Sequence, residues 1–205
     1  MTTTRPGSDP TRPQPRPDLS APDVRRAGPG DRATLERLWL LFRHDLSEVT
    51  GELPGSDGRF RDERLRAALG RPGLGGTPHD GPGPVEVNGP GVAAAGICTY
   101  LAVAGAHPVA FALVRGLDGP VRVLSAFFVV RAARRYGVGR RVAGAVLADV
   151  PGRWEVPFQD VNEGAAAFWP RVATDVAGDR WSVARRAVPG RPDVPPDVWL
   201  ALETF

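Results

Sequence analysis

The sequence contains no lysine, so all 26 of its Lys and Arg positions are arginine. The formal net charge is +3 and the isoelectric point is about 9.9. An all-arginine complement is typical of a GC-rich, bacterial genome, and the alternative explanation is a surface that binds a polyanion. The absence of lysine also excludes a P-loop, because that phosphate-binding motif requires one.

Other residues are scarce in ways that exclude classes of protein. Cys98 is the only cysteine, so no disulfide can form within the chain, and its apolar surroundings predict a small core residue. The three histidines, His44, His79 and His107, lack partners at ligand spacing, so we expect no metal site. No run of 18 apolar residues occurs and the N-terminus is polar, which predicts a cytoplasmic protein with no membrane partner.

Glycine and proline are abundant, at 25 and 22 residues, and unevenly spread. The proline- and arginine-rich residues 1–22 predict a disordered tail. Residues 70–96 predict a Gly/Pro-rich insertion that forms a surface loop, with a short strand near Val85–Val87. The remainder, within residues 23–205, predicts a single domain.

Hydrophobic periodicity predicts the element order β-α-α-β-β-β-α-β-α-β-β, an α/β arrangement. We expect Asp31 to cap the first helix and the polar residues 43–58 to form a loop. The first helix is expected to bury Leu35, Leu38, Trp39 and Phe42. The third is expected to turn Val138, Val142, Ala145 and Val146 towards the core.

The stretch "RRYGVGRR", residues 134–141, follows an apolar strand and opens a helix. Glycines at such a join let the main chain approach an anion, and the first helix amides point outwards with no intrahelical partner. Arginines add forked donors for phosphate oxygens. The alternative is an ordinary tight turn with solvated arginines. A dinucleotide fold would require a third glycine, which is absent here.

Two motifs carry a family resemblance. Arg134-Arg135-Tyr136-Gly137-Val138-Gly139 matches the acyl-CoA loop Arg/Gln-x-x-Gly-x-Gly/Ala of the GNAT superfamily of N-acetyltransferases. The second signature of that family, Asn-x-x-Ala-x-x-Phe-Tyr, is similar to residues 162–169, where Trp169 replaces the tyrosine. The chain resembles this superfamily from about residue 23 to residue 205.

The resemblance implies a mixed, mostly antiparallel central sheet with helices on both faces and a CoA cleft between two diverging parallel strands. It also implies acetyl-CoA as cosubstrate and an acyltransferase activity without a metal. By this resemblance, the cofactor-binding residues are Phe127, Phe128, Val129, Arg134, Arg135, Tyr136, Gly137, Val138, Gly139, Arg140, Asn162 and Phe168.

The implied chemistry is direct transfer of the acyl group from the thioester to a neutral amine, with the Val129 amide stabilising the oxyanion. The position of the usual tyrosine acid holds Trp169, whose indole donates hydrogen bonds but is not a practical acid. Tyr100 is an alternative acid. The general base is open between His44, Asp45 and Asp160.

The acceptor implied by the resemblance is an amine of a small molecule or peptide. The acidic residues between Asp45 and Glu63 would attract a cationic acceptor. One alternative is an acyltransferase of the same fold that uses an aminoacyl-tRNA donor, the one case in which a nucleic acid is a partner. A second alternative is a non-catalytic module that binds CoA as a regulatory ligand. No motif indicates an oligomeric state.

Overall fold

The computed structural model describes residues 17–70, 96–187 and 195–205. The strand expected near Val85–Val87, most of the Gly/Pro-rich insertion and residues 1–16 of the expected tail lie outside the described residues. The predicted division of the chain into tail, domain and insertion therefore stays a prediction.

The predicted order of elements is confirmed in the described part of the chain. It begins with β1 (Asp23–Arg26), α1 (Arg32–Thr50), α2 (Glu63–Leu69), β2 (Ile97–Ala104), β3 (His107–Arg115) and β4 (Val121–Val129). It continues with α3 (Val138–Asp149), β5 (Gly152–Phe158), α4 (Glu163–Ala177), β6 (Trp181–Arg186) and β7 (Asp197–Thr204).

The strands form one mixed sheet in the order β1-β2-β3-β4-β5-β7-β6. Every neighbouring pair is antiparallel except β4 and β5, which run parallel. Residues of α1 and α2 pack in one hydrophobic core and residues of α3 and α4 in another, because successive side chains of the strands between them point to opposite faces. This confirms the predicted fold class.

The parallel pair β4 and β5 is joined over a short length only. Pairing runs from Val121–Arg153 to Val123–Glu155 and then stops, although both strands continue. Next along β4, Leu124 pairs with Val114 and Ala126 with Leu113, which leaves Ser125 as an extra residue in the ladder. A bulge of this kind bends the strand that carries it. The ends of β4 and β5 therefore diverge and open a slot in the sheet.

Three local expectations were wrong. Helix α1 continues to Thr50 and ends at Gly51 in the left-handed conformation, so residues 43–50 are helical rather than a loop. The Asp31 carboxylate does not cap α1, because it binds the Arg25 guanidinium and the Gly28 amide instead. In α3 the exposed Ala145 lies off the buried face, which is completed by Ala143 and Leu147.

The lengths and compositions of the helices bear on whether any of them could cross a bilayer. Over the described ranges, none combines the length and the apolar composition that a membrane crossing requires.

Candidate active site

A cavity of about 720 Å³ lies at the end of β4, beyond its last residue pair with β5. It is bounded by three parts of the chain: the second half of α1, the end of β4 with the loop into α3, and the first turns of α4. Its walls contain the predicted residues Phe127, Phe128, Val129, Arg134, Arg135, Gly137, Gly139, Arg140, Asn162, Phe168 and Trp169, and also Asp45. The cavity therefore joins both sequence motifs to α1.

The glycine loop takes the form that an anion site requires. Gly137 has φ +79° and precedes α3, a conformation that favours glycine. The first main-chain hydrogen bond of the helix runs from the Arg141 amide to the Gly137 carbonyl, 3.2 Å, so the amides of residues 138–140 have no intrahelical acceptor. These amides and the positive end of the helix dipole lie beside the cavity.

Gly139 is required for close packing rather than for its dihedral angles. A Cβ atom at this position would lie 3.2 and 3.3 Å from two ring carbons of Phe168 and 3.7 Å from a methyl group of Val129. The start of α3, the end of β4 and the start of α4 thus meet at this residue. Its contacts set the width of the cavity at that point.

The arginines of the loop do not all face the cavity. The Arg134 Nε donates to the Val129 carbonyl over 2.8 Å and its Nη2 donates to Asp45. Arg140 forms an ion pair with Asp175 at 2.6 Å, and Arg141 donates to the Tyr136 carbonyl. Arg135 has no ion-pair partner among the described residues. It has a left-handed φ of +69°, a strained conformation that proteins retain mainly at functional sites.

Two predicted loop residues, Tyr136 and Val138, are not among the residues that line the cavity. The Val138 side chain is fully buried in the core, so its amide alone is available to a ligand. The Tyr136 ring is 55 % exposed and is not among the residues that line the cavity.

The second motif forms the opposite wall. The Asn162 side chain caps α4 by accepting the Ala165 amide at 3.0 Å, which leaves its own NH₂ group free of that bond. Phe168 stacks on Phe127 with 5.7 Å between ring centroids, and Trp169 packs edge-on against both rings at 4.9 and 5.1 Å. Trp169 is 5 % exposed, and its indole N–H has no acceptor among the described residues. This wall is rigid and mostly apolar.

Helix α1 supplies the third wall, which the sequence analysis missed. Phe42, Leu46 and Val49 line the cavity at the spacing of one helix face. They continue the buried stripe of Leu35, Leu38 and Trp39. The helical spacing of these three residues is visible in the sequence, but it conflicts with the loop predicted for residues 43–58.

Asp45 lies in the cavity wall and is held by two arginines. Its Oδ1 accepts the Arg131 Nε at 2.9 Å, and its Oδ2 accepts Arg134. Burial raises the pKa of the Asp45 carboxyl, but the hydrogen bonds from Arg134 and Arg131 outweigh it and hold the pKa below its usual range. A carboxylate in this state is a weak proton acceptor, so Asp45 is placed to position the loop rather than to act as a base.

The other two candidate bases lie outside the cavity. His44 is not among the lining residues, and its side chain is 76 % exposed, although its Nδ1 lies 3.9 Å from the Oδ1 of the lining residue Asp45. Asp160 forms an ion pair with Arg185 of β6 at 2.8 Å and is not a lining residue. The role of either side chain as a base stays a prediction.

Tyr100, the alternative acid, is also remote from the cavity. It is buried on β2, and its hydroxyl donates to Asp149 at the end of α3 over 2.7 Å. Burial and this hydrogen bond raise the pKa of Tyr100. Asp149 also binds Arg26 at 2.7 Å, so the three residues fasten α3 to β1 and β2.

Four of the six acidic residues from Asp45 to Glu63 form ion pairs with arginine, and the expected cation-attracting surface stays a prediction. Glu48 and Asp45 both bind Arg131. Glu52 binds Arg43 and Arg61, and Asp62 binds Arg66. Among the described residues, no three His, Cys, Asp or Glu side chains are grouped to hold a metal, and the expectation of a metal-free protein stays a prediction.

Comparison with known proteins agrees with this geometry. No family model matches the sequence, and no curated protein matches it. Among solved structures, it is similar to an acetyltransferase from Thermus thermophilus, with 17% identity and a TM-score of 0.55 over 90% of this chain and 98% of that chain.

Two further structures show the same likeness. A GNAT-family acetyltransferase from Staphylococcus aureus has 12% identity and a TM-score of 0.56 over 89% of this chain and 99% of that one. An aminoglycoside acetyltransferase, AAC(6')-Ib, solved in complex with coenzyme A, has 14% identity and a TM-score of 0.53 over 89% and 95%. The chain has the fold of the GNAT acetyltransferases.

Proposed function

We propose that this protein is an acetyl-CoA-dependent N-acetyltransferase that acts on an amine of a small molecule or peptide. The observation that carries the proposal is the slot beyond the last β4–β5 residue pair, where the end of β4 and the first residues of α3, with their free amides, line one cavity. A slot with an anion site at one end fits a long, narrow ligand that carries a diphosphate. The solved structures with this fold include acetyltransferases, which supports the same conclusion.

The residues around the slot suit coenzyme A. The amides of residues 138–140 would hold the diphosphate together with Arg135, which has no ion-pair partner in the described part of the chain. The main chain of β4 beyond Val123 has no partner strand on the side of β5, so it offers hydrogen bonds to the amide-containing arm. The rings of Phe127, Phe168 and Trp169 would exclude water from the thioester end.

In the proposed reaction the neutral amine attacks the thioester carbonyl carbon, a C–N bond forms and the C–S bond breaks. The amine loses one proton to water, and the coenzyme A thiolate takes one proton from water. This chain would contribute orientation and exclusion of solvent more than proton transfer, because His44 and Asp160 lie outside the cavity and Asp45 is bound to two arginines.

Calorimetric titration with acetyl-CoA tests the donor site. The variant Gly137→Glu places a carboxylate at the anion site and should abolish micromolar binding. The matched control is Gly105→Glu in the β2–β3 turn, where the glycine is also left-handed, at φ +59°, with no atom within 4 Å of a Cβ. The control therefore carries the same charge on a left-handed backbone without touching the cavity, whereas a Cβ at Gly137 would also lie 2.7 Å from the Arg141 Nη1.

The outcomes separate the alternatives. If the wild type and Gly105→Glu bind acetyl-CoA and Gly137→Glu does not, the donor site is established, and release of free thiol with an amine then tests turnover. Binding without turnover on any amine would favour the non-catalytic CoA-binding module. A wild type that does not bind acetyl-CoA would contradict the proposal and direct the test to an aminoacyl-tRNA donor.

A further inference from the structure

The cavity has two ends that differ in chemistry. The anion site lies at α3 and α4, on one face of the sheet, and α1 lies on the other. If the diphosphate of the donor occupies the first end, the wall formed by α1 faces the side from which the acceptor enters. The character of this wall therefore bears on which amine is accepted.

The charges at the α1 end are already compensated within the protein. Two carboxylates and two guanidinium groups line it, and these bind one another: Asp45 binds Arg131 and Arg134, and Glu48 binds Arg131 at 3.3 Å. Asp45 is the more buried of the two acids, because its side chain is 19% exposed, against 75% for Glu48. Among the described residues that line this end, each carboxylate already has a cationic partner, so none is free to bind a polycation.

The remainder of this end is apolar. Phe42, Leu46 and Val49 are partly exposed and line the cavity together with Phe128. The Phe42 ring is held in place by edge contacts with Phe111 at 5.7 Å and Phe128 at 6.1 Å. An apolar ligand gains the most binding free energy when it covers apolar surface that is rigid and accessible.

On this basis we infer that the acceptor is a monoamine carried on an apolar or aromatic body, and that polycationic amines are poor acceptors. The inference rests on the proposed acetyl transfer. It also separates this chain from the aminoglycoside acetyltransferase that shares its fold, and it reverses the expectation of a cationic acceptor drawn from the acidic residues.

The test compares 2-phenylethylamine with spermidine in the thiol-release assay with acetyl-CoA, at one pH and over a range of concentrations. We expect kcat/KM to be roughly tenfold or more higher for 2-phenylethylamine, the discrimination that a small difference in apolar contact can supply. In parallel, each amine is titrated calorimetrically into the complex of the protein with coenzyme A.

Two variants test the cause of the preference. Arg131→Gln removes an arginine that is 62% exposed, so the fold should survive, and it frees Glu48 and one oxygen of Asp45. It should raise kcat/KM for spermidine relative to 2-phenylethylamine. Leu46→Ala should lower kcat/KM for 2-phenylethylamine and leave that for spermidine nearly unchanged. Acetyl-CoA affinity, measured for both variants, reports whether the donor site is intact.

Each outcome decides the inference. A kcat/KM for spermidine equal to or above that for 2-phenylethylamine overturns it while the proposed function stands. If acetyl-CoA binds but neither amine reacts, tighter binding of 2-phenylethylamine to the coenzyme A complex supports it, and any other result overturns it. Failure of the proposed function has a different signature, which is the absence of acetyl-CoA binding by the wild type.

Discussion

The contact of Gly139 with Phe168 leads to a prediction about both stability and binding. Replacing glycine by alanine at an unobstructed helix position stabilises a protein by roughly 0.5–1 kcal/mol. Gly144, on the same helix, has no atom within 4 Å of a Cβ, so Gly144→Ala should show that gain. At Gly139 the new methyl group must displace the Phe168 ring from 3.2 Å.

Overpacking of this kind costs about 1–3 kcal/mol, because the Phe168 ring is already stacked on Phe127 and packed against Trp169. We therefore expect Gly139→Ala to be less stable than Gly144→Ala by about 1–3 kcal/mol. Urea unfolding at a fixed temperature measures the difference. Because the displaced ring also lines the cavity, the larger variant Gly139→Val should in addition weaken acetyl-CoA binding by roughly tenfold or more.

The comparison of the two alanine variants can refute the reasoning. If Gly139→Ala gains as much stability as Gly144→Ala, the close approach of α3 to α4 is not a constraint. If Gly139→Val binds acetyl-CoA as tightly as the wild type, the Phe168 ring does not set the width of the cavity.

Two other predictions concern Trp169 and Asp31. If Trp169 acts by packing and not as an acid, Trp169→Phe should keep kcat within about threefold of the wild type. Trp169→Ala should lose about 3–5 kcal/mol in the free energy of unfolding. A loss of kcat in Trp169→Phe with acetyl-CoA affinity retained would contradict this role. The Arg25 guanidinium and then the Gly28 amide hold the pKa of Asp31 at about 2, against 3.8 for the free group. Because the pKa of Asp31 is lower in the folded than in the unfolded state, its ionised form stabilises the fold at pH values above about 3.8. This contribution is lost as the pH falls from about 3.8 to about 2. The wild type should therefore lose stability over this range in urea unfolding, and Asp31→Asn should lose less; parallel curves would show that the ion pair contributes nothing.

The donor half of the site could be predicted from the sequence because its signals are local. Gly137 and Gly139 lie two residues apart in one motif, and the left-handed conformation of Gly137 follows from the turn that joins β4 to α3. The same holds for Asn162, whose capping of α4 depends on the next three residues. Local geometry of this kind does not depend on how the rest of the chain folds.

The acceptor half depends on contacts between distant residues. Asp45 meets Arg131 and Arg134 across 86 and 89 residues of sequence. No pattern in the sequence indicates that these charges cancel, so the sequence predicts Asp45 as a candidate catalytic residue that would help to attract a cationic acceptor. The apolar positions Leu46 and Val49 at the end of α1 were missed because polar residues surround them in the sequence and nothing local shows that they line a cavity.

The pairing of β4 with β5 over three residue pairs has a consequence for how the protein unfolds. Strands β1 to β4 come from residues 23–129, and β5 to β7 come from residues 152–204, so each part of the sheet is continuous in sequence. Such segments are natural cooperative units in hydrogen exchange. A ligand that spans the slot contacts both units, so it would join their openings into one event. Hydrogen exchange at residues that the ligand never touches would therefore show, through the coupling between the two units, whether the cavity is occupied.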